Sequence, residues 1–254
     1  MRNVAVLLAA GSGKRTQSAL PKQFVKIAGK PMIFYSLEAF QNHPEIDEIL
    51  LVLSADTIDK ISDYIDLSQF SKCKDLIVGG KERYESSLAA VTHYAGQNVN
   101  LLLHDVARPL LSQAIISRVI KALQHSHAVC TAIPTVDTIA EYNSSIPTLR
   151  YPNRSNCYAV QTPQAFHISL IERAFQLFLQ TPNHAVTDDC SVIHYYLPEQ
   201  PICFVEGERK NMKAYSVKQI ESEEYSNCSE IWNRQKFQST ENIIKALIKA
   251  GNRD

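Results

Sequence analysis

In the stretch LLAAGSGKRTQSALPKQF (7–24), two glycines, Gly11 and Gly13, are followed closely by Lys14, Arg15 and Lys22. Glycines there let the backbone turn sharply and present N–H groups to phosphate oxygens, and Arg15 and Lys22 add full charge, so the stretch suits a strongly anionic ligand. The Walker A pattern fails, because Lys14 is followed by Arg15 and no glycine stands five positions before Gly13. The dinucleotide fingerprint fails as well, because Thr16 occupies the place of its third glycine. A tight strand-to-helix turn carrying two solvated cations has the same local spacing; the Pro-Lys-Gln-Phe block that follows favours a binding site. Further along, Asp105 closes an apolar run and could hold Mg²⁺, which uses one or two carboxylates plus substrate phosphates. Alone, it reads better as a helix cap or an ion pair with Arg108. Lys213, in GERKNMKAY, could reach the same rim, although a lone lysine is more often a solvated surface charge. Arg83, in GGKERYESS, reads as a brace for the Gly79–Gly80 turn. His104 has no spaced metal partners and reads as structural, and no Ser-His-Asp order or nucleophilic cysteine stands out.

These residues need a scaffold that brings them together. Apolar, β-branched-rich runs predict strands at VAVLLAA (4–10), EILLVL (48–53), LIV (76–78), LLLHD (101–105), AVCTAIP (128–134) and ICFVEG (202–207), with helical periodicity near 31–42, 56–65, 83–95, 112–126 and 168–180. Alternating strands and helices predict an α/β fold, a mostly parallel sheet with helices on both faces. Ligands on such sheets bind at the carboxyl ends of strands, where the Gly11 loop, His104–Asp105 and Asp137–Thr138 all fall. The alternation breaks at about 139–158, a polar, proline-containing excursion expected to be a hairpin arm. STENIIKALIKAG (239–251) predicts a separate amphipathic helix ending at Gly251.

The 254 residues are 45% hydrophobic, enough for one sizeable core, and 26 basic residues balance 26 acidic ones. No basic run suggests a nucleic-acid footprint, so any anion is bound locally. VAVLLAA is too short to span a bilayer and lacks a charged leader and cleavage site, so neither a membrane span nor export is expected. Six cysteines, at 73, 130, 157, 190, 203 and 228, contain no C-x-x-C pair and read as reduced thiols in a cytoplasm.

Taken in order, AAGSGKR with PKQF, GGKERYESS, HDVARPLL, PTVDT, NRSNCYAVQTPQAF, TDDCS and VEGERKNMK resemble the alditol-phosphate cytidylyltransferases, the family of the 2-C-methyl-D-erythritol 4-phosphate and ribitol-5-phosphate enzymes. The likeness runs from Val4 to about Ile220. It implies a Rossmann-like nucleotidyltransferase domain over 1–225, with the arm building a homodimer; 226–254 lies outside the likeness and reads, from its own residues, as a helical extension. It also implies CTP as co-substrate, Mg²⁺ as cofactor, and a CDP-alditol with pyrophosphate as products. By the same resemblance, Ala9, Ala10, Gly11 and Gly13 line the cytidine and triphosphate, Arg15 and Lys22 hold the triphosphate, and Gly80 and Ser86 contact the base and ribose. Asp105 would hold Mg²⁺, Thr138 and Arg154 would contact the alditol phosphate, Arg108 would serve that region or brace its loop, and Lys213 would steady the reacting phosphate. Two departures stand out: Thr16 where the family has Met, and NMKAY where it has N-x-K-V-T. HDVARP leans toward the methylerythritol enzymes, whereas PNRSNCY and the LPE at 197–199 lean toward ribitol enzymes, which the chain resembles slightly more. A nucleotide-binding module that has lost turnover is the alternative of another class.

Overall fold

The computed structural model describes residues 1–11, 20–143 and 145–214. Gly13, Arg15, Cys228 and the expected tail helix lie outside the described residues.

The chain enters on β1 (Arg2–Ala9), makes a small ribbon of β2 (Lys26–Ile27) and β3 (Lys30–Pro31), and then alternates. α1 (Met32–Gln41) leads to β4 (Glu48–Leu53), the short helices α2 (Ala55–Ile58) and α3 (Ile61–Tyr64) to β5 (Cys73–Val78), and α4 (Arg83–His93) to β6 (Val99–Asp105). α5 (Gln113–Leu123) follows, and β7 (Ala128–Pro134) runs out into a hairpin of β8 (Glu141–Asn143) and β9 (Thr148–Arg150). The chain returns on β10 (Tyr158–His167), then α6 (Ile168–Gln180), α7 (Asp189–Tyr196) and β11 (Cys203–Glu206).

Seven strands form one sheet in the order β11-β7-β10-β6-β1-β4-β5. β10 runs antiparallel to both its neighbours, and the remaining pairings are parallel. Successive side chains of a strand point to opposite faces, and here both faces are buried. Ala5, Leu7 and Ala9 pack with Ile49, Leu51 and Leu53 under α1 and α5; Val4, Val6 and Ala10 pack with Leu50 and Val52 under α4, α6 and α7. Because both faces are covered, the central strands read in sequence as continuous apolar runs. The helices supply matching stripes: Ile115, Ile116, Val119 and Ile120 on α5, and Ile168, Ile171, Ala174, Phe175 and Phe178 on α6.

Three features depart from the sequence reading. The helix expected over 56–65 is two single-turn pieces broken at Asp59–Lys60. α7 is an additional helix, and β10 is an additional strand, hidden because its buried interior carries Gln161, Thr162 and Gln164. A strand of that composition survives burial only if its polar groups are bonded. Pro163, which cannot donate to the ladder, stands where the β10–β7 register shifts between Val160 and Gln164.

Gln164 shows how the sheet takes hold of α7. Its fully buried amide accepts from the backbone N–H of Asp189 (2.9 Å) and of Cys190 (3.0 Å) and donates to Asp188 Oδ2 (2.7 Å). Gln164→Ala orphans two buried N–H groups and is expected to lower stability by about 2–4 kcal/mol in urea unfolding. A loss below about 1 kcal/mol would show that water takes over these bonds.

Candidate active site

The carboxyl ends of β1, β5, β6 and β7, together with the start of the reversed β10, share one rim of the sheet. β1 ends at buried Ala9 and Ala10, then exposed Gly11, where an added Cβ would meet open space. The Pro-Lys-Gln-Phe block is bound to this end: Gln23 donates its buried amide to the Ala9 carbonyl (2.8 Å), and Phe24 stacks on Tyr64. Half-buried Lys22, at the start of a 3-10 turn, is thereby held beside the β1 terminus. After β5, Gly79 passes so close to Ser86 and Ala10 that a Cβ would lie 2.6 Å from Ser86 Oγ and 2.7 Å from Ala10 Cβ. Gly80 meets Glu85 more closely still, so this glycine pair lets the α4 N-terminus close on the β1 end.

Asp105, at the end of β6, is the electrostatic centre. Arg83 Nε reaches Asp105 Oδ1 (2.9 Å), Lys213 Nζ reaches Asp105 Oδ2 (2.6 Å), and Arg83 Nη2 reaches Asp189 Oδ2 (2.8 Å). Side-chain exposure is 10% for Asp105 and 1% for Asp189, against 24% for Arg83 and 31% for Lys213. Two buried carboxylates and two cations thus balance. Burial by itself would raise the Asp105 carboxyl, but the charges and hydrogen bonds of Arg83 and Lys213 hold it well below the usual carboxylate range. Burial likewise disfavours the Arg83 charge, and Asp189 with Asp105 more than offsets it. Asp105 is therefore an anion throughout the physiological range.

A second network fixes the backbone around it. The Arg108 carbonyl is an acceptor, so His104 Nε2, 3.1 Å away, carries the ring proton. Nδ1 then accepts from the Thr162 hydroxyl (3.0 Å), whose oxygen in turn accepts the Asp105 N–H (3.1 Å). Arg108 is not the ion partner of Asp105 that its spacing suggested: it donates to the carbonyls of Asn211 (2.9 Å) and Val160 (3.0 Å), tying the β6 loop to β10 and to the segment that carries Lys213. Asn211 donates to the Thr162 carbonyl (2.8 Å), and the Ala214 N–H to the Ala107 carbonyl (2.8 Å). Arg83 is likewise more than a brace for the glycine turn. Sequence reasoning passed over Gln161, Thr162, Asp189 and Asn211; the available signal was the run of polar residues in QTPQAF and TDDCS.

The structure brings Ala9, Ala10, Gly11, Lys22, Gly80, Ser86, Asp105, Arg108 and Lys213 to this rim. Thr138 and Arg154 are exposed on the arm side, where Arg154 donates to the Val136 carbonyl (3.4 Å). A carboxylate has about four lone-pair sites, and Asp105 uses two, so it can still ligate a divalent ion that substrate phosphates share. Among the described residues no group of three or more His, Cys, Asp or Glu could hold a metal without such phosphates.

Fully buried His104 is held neutral, its pKa lowered by burial to about 4 from 6.5. The unfolded chain takes up this proton near pH 6.5 and the folded one only near pH 4, so the histidine's contribution is intact above that window and falls as pH drops through it, by about 1.4 kcal/mol per unit. Urea unfolding at pH 7 and pH 4 should show the stability gap between wild type and His104→Gln narrowing by about 3 kcal/mol. A gap independent of pH would mean that folded His104 takes up a proton freely.

The family model for 2-C-methyl-D-erythritol 4-phosphate cytidylyltransferase (IspD) matches residues 3–225. The bifunctional ribulose 5-phosphate reductase/CDP-ribitol pyrophosphorylase Bcs1 of Haemophilus influenzae is 40% identical over 215 residues, 84% of this chain. The chain spans 45% of that protein's length. The 2-C-methyl-D-erythritol 4-phosphate cytidylyltransferase of Lachnospira eligens is 37% identical over 76% of this chain and 86% of its own. Among solved structures, 4-diphosphocytidyl-2C-methyl-D-erythritol synthase from Anaerococcus prevotii DSM 20548 superimposes with a TM-score of 0.76 at 28% identity, covering 86% of this chain and 94% of that one. With the β1 end, the glycine pair and the Asp105 cluster on one rim of the same fold, the chain belongs to the IspD family of cytidylyltransferases.

Proposed function

We propose that this chain transfers CMP from CTP to an alditol phosphate, D-ribitol 5-phosphate in the first place, releasing pyrophosphate and CDP-ribitol. The observation that carries the reading is the balanced Asp105–Arg83–Lys213 cluster lying on the rim with the β1 end and the glycine pair of the α4 turn. Ribitol is favoured by PNRSNCY and LPE and by the name of the Haemophilus relative. The second reading, 2-C-methyl-D-erythritol 4-phosphate, rests on the family model and on HDVARP. A silent regulatory module would have no need of Lys22, Asp105 and Lys213 together.

The acceptor's phosphate is already an anionic nucleophile near pH 7, so its oxygen can attack the α-phosphorus without a general base, and the protein's part is position and charge. Ala9, Ala10, Gly11 and Gly13 would follow the nucleotide, with Gly80 and Ser86 at its base and ribose. Arg15 and Lys22 would meet the charge that grows on the departing pyrophosphate, and Lys213 would steady the reacting phosphate. Asp105 would hold Mg²⁺, which supplies Lewis-acid neutralisation of the phosphate oxygens when bound. Thr138, Arg154 and the Arg108 region would receive the alditol phosphate. We place the reaction in the cytoplasm, where thiols such as the five free cysteines among the described residues stay reduced.

We also infer a homodimer through the arm. Tyr142, Ile146, Leu149 and Tyr151 are exposed on or beside the β8–β9 hairpin, and Tyr158 and Val160 continue the apolar surface onto β10.

A pyrophosphate-release assay with CTP and ribitol 5-phosphate, methylerythritol 4-phosphate or glycerol 3-phosphate tests the reading, with the highest kcat/KM expected for ribitol 5-phosphate. Lys22→Ala, Arg15→Ala and Asp105→Asn should each lower kcat on the order of 10²-fold while the chain stays folded, the last with loss of the Mg²⁺ dependence. Activity within about threefold of wild type would take the residue out of the mechanism. If Arg154 serves the neighbouring subunit's site, co-expressing Lys22→Ala with Arg154→Ala should restore roughly a quarter of wild-type activity, because half the dimers are mixed and half their sites intact. Verified heterodimers without recovery would place Arg154 in its own subunit's site or outside catalysis.

A further inference from the structure

TDDCS is the block to which neither the composition nor the resemblance gives a task. Its two carboxylates divide the work. Asp188 caps α7, accepting from the Ser191 N–H (2.8 Å), and receives the Gln164 amide. Asp189, the first residue of the helix, is not needed as a cap, yet its side chain is 1% exposed. Burying a carboxylate is costly unless it is paired and its remaining lone pairs are bonded. Asp189 Oδ2 is bonded to Arg83, whereas Oδ1 has no hydrogen-bond partner among the described residues. Its charge is thus directed at Arg83, and Arg83 passes it on: Nη2 is held by Asp189 while Nε faces Asp105.

The two cations on Asp105 differ for this reason. Arg83 is held from both ends and is the less exposed; Lys213 is bonded to Asp105 alone among the described residues and is the more exposed. A planar guanidinium can span two carboxylates in a fixed geometry, whereas an ammonium on a flexible stem serves one at a time.

Building on the activity proposed above, we propose that Arg83 and Asp189 are positioning residues: Asp189 anchors Arg83, and Arg83 fixes the orientation and charge of Asp105 for its work on the phosphates. Asp189 touches no substrate. It acts through Asp105 from the N-terminus of α7, and Lys213 is left as the cation able to turn toward phosphate.

Asp189→Asn keeps the volume and an acceptor for Arg83 but removes the charge, and it is compared with Asp105→Asn and the double variant, all checked by thermal melting. We expect Asp189→Asn to lower kcat about tenfold, with KM for CTP and the calorimetric Kd for CTP within about threefold of wild type. The double variant should lie within about threefold of Asp105→Asn alone, because a residue acting through Asp105 has nothing to act on once the carboxylate is gone. Arg83→Lys, which keeps charge but not the two-ended fork, should fall between wild type and Arg83→Ala in kcat. Wild-type kcat in folded Asp189→Asn would overturn the proposal. So would a raised Kd for CTP with kcat unchanged, which would put the effect in the Gly79–Ser86 pocket, and so would losses that multiply in the double variant. A wild-type chain that binds CTP yet turns over no alditol phosphate would instead defeat the activity itself.

Discussion

A buried anion at the end of a strand must be neutralised, and much of the rim follows from how Asp105 is. A carboxylate 10% exposed on β6 cannot stay ionised in an apolar sheet without cations brought to it. One comes from the first turn of α4 and the other from the segment after β11, so elements on opposite sides of β6 converge on one side chain. The His104–Thr162 bonds, the Arg108 clamp and the Asn211 amide hold the backbone so that those cations arrive. The electrostatics explain why the loops are stapled to each other and not merely laid side by side.

The reversed strand β10 gives this rim its polar lining. A parallel strand delivers its carboxyl end and then leaves on a loop, whereas β10 begins on the rim and brings Gln161 and Thr162 there as part of the sheet. The hydroxyl that orients His104 and supports the Asp105 N–H therefore belongs to a rigid element. Functional groups on such elements are placed more accurately than those on loops.

The sequence was legible where a single local rule governs. EILLVL and AVCTAIP coincide with β4 and β7 because strands buried on both faces favour apolar residues at nearly every position. α5 and α6 announce themselves by their stripes. The expected helix over 56–65 failed because α2 and α3 pack as separate turns. β10 and α7 were illegible for a different reason: Gln164 and Asp189 look like surface residues until their partners, 24 to 26 and 106 positions away, are known. The cluster itself illustrates the limit. Asp105 could be singled out by type and place, but its nearest cation in sequence, Arg108, bonds to backbone carbonyls, and the pairing falls to Arg83 and Lys213.

The Asp105–Lys213 pair also closes a loop of 108 positions, and this bears on how the chain reaches its native state. Strands β1, β4, β5 and β6 are all made before residue 106 and can pair from neighbouring parts of the chain, but Lys213 arrives only after β7, the arm, β10 and β11. Contacts so distant in sequence are entropically late, since the intervening chain must be ordered before they form. Until that point the β6 carboxylate has at most Arg83 for company, and it carries less reason to be buried. The charge balance at the rim thus rests on a contact that spans β7, β10 and β11, so that an intact site and a completed sheet are coupled.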